Sequence, residues 1–152
     1  MNHATQKATV VTIILLNGYC FGANCVERFV NYQTWPNIDT ASFQAYHRAQ
    51  APLIRIVVVV PLCITFALQL LFLTFYRHLG VPAASPWMMA GSSLIGTLST
   101  LFLQLPIHRQ LSASGYSPER MKRLVTTDWL RKACDLIRIF ATLLLLYQTL
   151  AI

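Results

Sequence analysis

Four long apolar runs fill most of this chain, and nearly all of its charged residues lie at one end of these runs. The runs cover residues 8–26, 56–76, 87–105 and 133–152. Each is close to the ~20 residues that an α-helix needs to cross ~30 Å of hydrocarbon. Continuous apolar runs predict helices, because backbone groups in lipid must be paired within the segment. We therefore expect an all-α, integral-membrane, up-down four-helix bundle, with residues 1–152 forming a single transmembrane domain.

The composition agrees with a membrane protein. Hydrophobic residues make up 55% of the chain and charged residues only 11%, whereas soluble domains carry about 25% charged residues. The net charge of +7 does not indicate nucleic-acid binding, because the basic residues flank the apolar runs and can serve topology and lipid headgroups. The bilayer is therefore the first expected partner.

The distribution of Lys and Arg predicts the orientation. Only Lys7 and Arg77 lie at the end that holds the N-terminus and the second loop. Nine lie in or beside the first and third loops: Arg28, Arg48, Arg55, Arg109, Arg120, Lys122, Arg123, Arg131 and Lys132. Basic loops stay in the cytoplasm, so we expect both termini outside and the two long loops inside.

The first loop, residues 28–53, is long for so small a protein. Asp39-Thr40 is typical of a helix N-cap. Pro52 predicts that this short helix ends before residue 52. Aromatic residues and His47 on one face suggest an interfacial segment that covers the end of the bundle.

Two polar stripes are expected to face the bundle interior, because lipid exposure of polar groups is unfavourable. The first run carries Asn17, Asn24, Glu27 and Asn31. The third carries Ser93, Thr97, Thr100, Gln104 and His108. Gly18 and Gly22 form a small-xxx-small pair that permits close packing, within the bundle, in a homo-oligomer or against another membrane protein.

Two prolines and one charged face give further local predictions. Pro61 should kink the second run and free a carbonyl near Val57, and Pro106 should bend the exit of the third. Ser117-Pro118-Glu119 predicts a helix start, followed by a basic amphipathic helix of about ten residues near the headgroups. Arg131, Asp135 and Arg138 share one face at the start of the last run, and mutual pairing would offset their burial.

In an up-down bundle, all the titratable groups of the long loops and adjoining helix ends meet at one end. A pocket that opens there above an apolar floor is the expected site. Glu27, His47 and His108 form a candidate two-histidine, one-carboxylate metal set. The competing hypotheses for the two histidines are general acid–base chemistry beside an oxyanion-holding arginine and a purely structural hydrogen-bonding role.

The segment Leu105-Pro106-Ile107-His108-Arg109-Gln110-Leu111, followed by Trp129 and Arg138, resembles the signature of the DUF1772, anthrone-oxygenase-like membrane proteins. Those proteins typically carry a Pro-[Ile/Leu]-Asn-x-x-Leu segment after their third span, and His108 stands here in place of the Asn. The four-span layout with a long first loop also matches.

The resemblance implies an enzyme that oxidises an activated carbon of an apolar aromatic molecule to a quinone with molecular oxygen. The resemblance leaves room for chemistry without a prosthetic group, whereas the candidate metal set of Glu27, His47 and His108 would hold one iron or copper ion. In that reading His47 or His108 is the base, and Arg109, Arg131 or Arg138 stabilises the substrate anion. The remaining residues expected to contact the substrate are Asn31, Tyr32, Trp35, Phe43, Gln104 and Trp129.

Two other classes of protein stay open. A non-enzymatic small subunit or assembly partner of a larger membrane complex would use the small-residue faces of the first and third helices. A small transporter is less consistent with the sequence, because Glu27 lies at the end of its helix and the loops are long. The four cysteines form no CxxC pair, which argues against thiol redox chemistry.

Overall fold

The computed structural model describes residues 2–150, apart from the side chains of His3 and Leu150. Helix accounts for 91% of the residues, and no strand occurs in the described range. Four continuous helical runs follow one another: α1 (Ala4–Asn37), α2 (Thr40–Phe72), α3 (Ala84–Ser114) and α4 (Pro118–Leu150). The first three are long and apolar enough to cross a membrane. The all-helical, membrane-compatible fold class is thus confirmed.

Three of the helices contain π-helical turns. These turns span Glu27–Asn31 in α1, Arg55–Val59 in α2 and Thr100–Gln104 in α3. The turns of α2 and α3 end two residues before Pro61 and Pro106, whose missing N–H and bulky ring disrupt the normal hydrogen bond to the residue four positions earlier. In α2 the free carbonyl of Val57 accepts a hydrogen bond of 2.9 Å from the Tyr19 hydroxyl of α1. The freed carbonyl predicted near Val57 is confirmed.

The first connection is shorter than predicted. Asp39 caps α2 as expected, accepting from the backbone N–H groups of Ala41 and Ser42 at 3.0 Å each. The Ser42 hydroxyl and the Ser42 and Ala41 N–H groups lower the pKa of the Asp39 carboxyl. The helix does not end before Pro52, however, and the prediction of a long loop with a separate short helix is wrong. Pro52 removes a bond to the carbonyl of Arg48, which lies at an exposed position where solvent or headgroups can satisfy it.

The last helix also starts earlier than its predicted span. It begins at Pro118, directly after Ser117, so the helix start predicted at Ser117-Pro118-Glu119 is confirmed. The predicted separate basic helix forms the first turns of the same 33-residue helix. The last two residues of the predicted span 133–152 lie outside the described residues. In the connection between α2 and α3, Gly80 takes a left-handed conformation with φ 68°, which glycine adopts without strain.

Buried ion pairs bring α4 together with α1. Asp128 is fully buried and lies 3.0 Å from Arg131, 3.9 Å from Arg28 and 4.0 Å from Lys132. Asp135 pairs with Arg138 at 2.6 Å and accepts from Asn24 of α1 at 3.0 Å. The predicted pairing of Asp135 with Arg138 is confirmed, whereas Arg131 pairs with Asp128.

The two polar stripes face inward as predicted. Asn17 is fully buried and bonds to Thr142 of α4 and Gln69 of α2, at 2.8 and 2.9 Å. In α3, Ser93 and Gln104 are buried. Beyond Asn17 an apolar core closes the opposite end, with Ile13, Phe72, Met89, Ala141 and Leu145 among its members. The polar interior therefore opens toward one end of the molecule, which we call the charged end: the last turns of α1 and α3 and the first turns of α2 and α4.

Candidate functional site

A cavity of about 460 Å³ lies between α2 and α3 at the charged end. This volume falls in the range of roughly 300–1,000 Å³ that is typical of small-molecule sites. Part of the α2 lining is apolar: Ala51, Ile54, Val58 and Val59. The polar part of the lining contains His47 from α2 and His108 from α3, so we call it the histidine cavity. A ligand that has an apolar body and a polar or ionisable group could therefore bind in this cavity.

The two histidines of this cavity form a connected pair. His47 comes from α2 and His108 from α3, and Nε2 of His47 lies 3.3 Å from Nδ1 of His108. The rings are stacked, with centroids 5.5 Å apart. Ser112 Oγ lies 2.8 Å from Nδ1 of His47, and the Tyr32 hydroxyl lies 3.3 Å from Nε2 of His108. The result is a chain of four side chains from three helices: Ser112, His47, His108 and Tyr32.

Buried aromatic side chains that do not line the cavity pack against the histidine pair. The Trp35 ring makes edge contacts with His47 and His108, at centroid distances of 4.9 and 5.8 Å. Phe43 stacks on His47 at 5.6 Å. Both aromatic residues are fully buried in a core cluster that also contains Ile107, Leu111 and Leu124. They fix the orientation of the imidazoles rather than lining the cavity.

The hydrogen bonds of the pair are suited to moving a proton. The contacts of His108 at 3.3 Å are longer than the usual 2.9–3.0 Å, so a bound molecule could replace either of them with a shorter bond. In each neutral imidazole one nitrogen donates and the other accepts. Reversing the donors along the chain would move a proton from the Tyr32 side to the Ser112 side. The 2.8 Å contact with Ser112 keeps His47 in place meanwhile.

The charge around the histidine cavity is mainly positive. Four arginines line it, Arg48, Arg55, Arg109 and Arg131, against a single carboxyl group, Glu27. Arg131 is 5% exposed and contacts Asp128 through Nη2, while its Nε has no hydrogen-bond partner among the described residues. A negative charge that develops on a bound molecule would therefore be stabilised.

Most residues predicted from the sequence to form the site converge on this cavity. Its wall contains Glu27, Tyr32, His47, Gln104, His108, Arg109 and Arg131. Asn31 lies elsewhere, donating a hydrogen bond to Glu27. Arg138 is buried in its pair with Asp135, and Trp129 is 60% exposed beneath the guanidinium of Arg28, 5.2 Å from the ring centroid. Neither of these two lines the histidine cavity.

The predicted three-ligand metal set is not assembled in the structure. Among residues 2–150, no group of three or more His, Cys, Asp or Glu side chains has a metal-binding arrangement. The facing nitrogens of His47 and His108 are occupied by each other, and one Glu27 oxygen is occupied by Asn31.

Ser112 and Gln50 are among the cavity residues that were not predicted from the sequence as site residues. Ser112 is four positions after His108, and Gln50 is three positions after His47, so helical spacing places each on the face of a histidine. That spacing was the available signal. It could not reveal that Ser112 bonds to the histidine of the other helix.

Comparison with protein-family models, with curated proteins and with solved structures gives no match.

Proposed function

We propose that this protein is a membrane-embedded oxidoreductase that deprotonates an apolar aromatic substrate at the histidine pair and oxidises it with molecular oxygen. The observation that carries the proposal is the chain from Tyr32 through His108 and His47 to Ser112, in the lining of a cavity that also has apolar residues in its lining. The motif resemblance to anthrone oxygenases, described from the sequence, points to the same chemistry.

The proposed reaction converts an activated CH₂ group, flanked by aromatic rings, into a carbonyl. A base removes one proton, and the resulting enolate is electron-rich enough to react with O₂. The whole step is CH₂ + O₂ → C=O + H₂O: O₂ accepts four electrons, one oxygen atom enters the product and the other leaves as water. The protein must therefore supply a base, stabilise an enolate and admit an apolar substrate.

Each requirement has a candidate group in the histidine cavity. His108 is the proposed base, because its two long contacts are the easiest in the chain to exchange for a substrate. His47 positions His108 and receives the proton within the pair, and Ser112 fixes His47. Arg131, a buried residue of the cavity lining, and Arg109 are the proposed enolate-stabilising cations.

The proposal includes a four-span topology with both termini outside. The low average hydropathy of α4 comes partly from charges in its first turns and partly from charges that point inward: Asp128, Arg131, Lys132, Asp135 and Arg138 are at most 6% exposed. Its outward side chains are apolar, from Trp129 and Leu130 through Leu136, Phe140 and Leu143 to Tyr147. At 1.5 Å per residue, that face extends over about 27 Å, close to the ~30 Å hydrocarbon thickness. The charge bias of the loops supports a cytoplasmic charged end.

The test is oxygen consumption with anthrone as the probe substrate, using purified protein in lipid nanodiscs. Empty nanodiscs measure the spontaneous oxidation of anthrone. We expect His108→Ala to lower the catalysed rate by about 10²-fold or more, in line with the usual contribution of a general base. His47→Ala should have a smaller effect in the same direction.

His78→Ala is the matched control, because His78 is exposed and lies at the opposite end. It should leave the rate unchanged. Normal turnover by the double variant His47→Ala/His108→Ala would contradict the proposal. A wild-type rate equal to that of empty nanodiscs would favour the non-enzymatic subunit. Iron and copper content, measured on the same samples, would show whether activity follows a bound metal.

A further inference from the structure

A second cavity, of about 600 Å³, lies between α1 and α2. We call it the lateral groove. Its floor includes Gly18 and Gly22, and a methyl group placed on either would meet no atom within 4 Å in the described part of the chain. Its rim carries exposed apolar side chains, among them Val26, Leu53 and Val57, which are 49–61% exposed. In a membrane these side chains face acyl chains, so the groove opens to the bilayer.

The groove stays open because of the packing around it. Tyr19 lies between its two glycines in sequence and reaches across to α2, where its hydroxyl binds the carbonyl of Val57. The π-helical turn Arg55–Val59 on the α2 side has no buried residue. A bulky side chain thus joins the two helices at one point, while the glycines beside it leave space.

Two residues that line the groove, Glu27 and Gln50, carry buried oxygen atoms without a hydrogen-bond partner among the described residues. Glu27 is only 3% exposed, and one of its oxygens accepts from Asn31. Its other oxygen, Oε1, is buried and has no hydrogen-bond partner among the described residues, and the same holds for Oε1 of Gln50. Buried polar atoms are normally paired, so two such oxygens on residues that line one cavity point to a ligand that bonds to them.

We infer that the lateral groove binds a hydroxyl-bearing apolar molecule from the bilayer, a long-chain alcohol or a phenol, with its hydroxyl against Glu27 and Gln50. A hydroxyl can donate one hydrogen bond and accept others, so it suits a carboxyl group and an amide in either orientation. An anionic head group would face the Glu27 carboxyl without a cation, because no Lys, Arg or His of the described chain lines the groove. The apolar body would lie over Gly18 and Gly22.

This inference does not depend on the oxidation chemistry proposed above. The groove and the histidine cavity share Glu27, Gln50, Ile54 and Val58. A hydroxyl bound at Glu27 would thus lie beside the histidine cavity, whatever reaction occurs there.

The experiment is photolabelling of the full-length protein in phosphatidylcholine nanodiscs with a C12 alcohol that carries a diazirine in its chain. Mass spectrometry then locates the label. We expect saturable labelling of peptides that contain residues 18–26 and 53–58, with displacement by unlabelled dodecanol. The methyl ether of the same probe, which cannot donate, should label these peptides at least tenfold less.

Gly22→Leu should fill the groove and abolish the labelling. Gly91→Leu is the matched control, because Gly91 also has free space around its Cα and lies outside the groove, so labelling should persist. Equal labelling by alcohol and ether, or full labelling of Gly22→Leu, would overturn the inference. Stronger labelling by the corresponding ammonium probe than by the alcohol would overturn the choice of a hydroxyl. If Gly22→Leu does not fold, the comparison of alcohol with ether on the wild type decides alone.

Discussion

At the scale of single residues, the buried charges of α4 lie in ion pairs with one another. Asp135 lies between Arg138 and Lys132, at 2.6 and 3.7 Å, and accepts a further hydrogen bond from Asn24. All of these groups are at most 6% exposed. Removing one member leaves an opposite charge buried without its partner, which costs more than the pair itself contributes.

We therefore predict that Asp135→Asn destabilises the fold by about 3–5 kcal/mol. The double variant Asp135→Leu/Arg138→Met should lose much less unfolding free energy, because it removes both charges of this closest pair. Thermal unfolding in detergent, followed by circular dichroism, measures both. Arg123→Met is the control at an exposed position of the same helix. Equal destabilisation by the single and double variants would contradict this account of the pair.

At the scale of helices, proline positions and π-helical turns shape the charged end. The carbonyl released by Pro61 is satisfied by a side chain from another helix, since the Tyr19 hydroxyl donates to Val57. The same bond joins α1 to α2 beside the lateral groove. Restoring the missing N–H at position 61 should make this cross-helix bond largely redundant.

The corresponding prediction is a double-mutant cycle. Tyr19→Phe should cost about 1 kcal/mol of unfolding free energy in the wild type, and clearly less in a Pro61→Ala background. Tyr147→Phe, at a 72% exposed tyrosine of α4, should have no effect in either background. Unfolding of the four proteins in the same detergent gives the coupling energy. If Tyr19→Phe costs the same unfolding free energy in the Pro61→Ala background as in the wild type, the Tyr19 bond does not compensate for the hydrogen bond lost at Pro61, which would contradict this account.

The sequence was sufficient for the features that depend on local or periodic rules. The cap at Asp39, the helix start at Pro118 and the inward polar stripes all follow from spacing and residue type. The continuation of α2 through Pro52 was missed, because the rule that proline ends a helix is local and one lost hydrogen bond at an exposed position is tolerable. The pairing of Arg131 with Asp128 was missed because the choice between neighbouring carboxylates depends on Asn24 from another helix.

The candidate site was predictable only as a set of residues. Polar groups concentrated at one end predicted where the histidine cavity lies, and seven of the predicted residues line it. Their connections were not predictable, since the contact between His47 and His108 depends on how α2 and α3 are aligned. Arg138 carries the same charge as Arg131 and its pairing with Asp135 was predicted, but only the fold reveals that this pair lies outside the cavity lining.

At the scale of the whole molecule, the inward charges and outward apolar face of α4 predict a fourth membrane crossing. Epitope tags at the two termini should then be accessible from the same side of intact cells, the outside. A tag inserted at Gly115, between α3 and α4, should be accessible only after the membrane is permeabilised. Termini on opposite sides would contradict the fourth crossing, and both termini inside would contradict the orientation.

The central claim is that the histidine cavity removes a proton from an apolar substrate, and this step can be measured without oxidation. Under anaerobic conditions, anthrone added to the nanodisc-embedded protein should give the absorption spectrum of its enolate, at about one equivalent per protein. His108→Ala should still bind anthrone but leave it in the keto form, and His78→Ala should behave like the wild type. An unchanged enolate spectrum in His108→Ala, or anthrone bound only in the keto form by the wild type, would contradict the account.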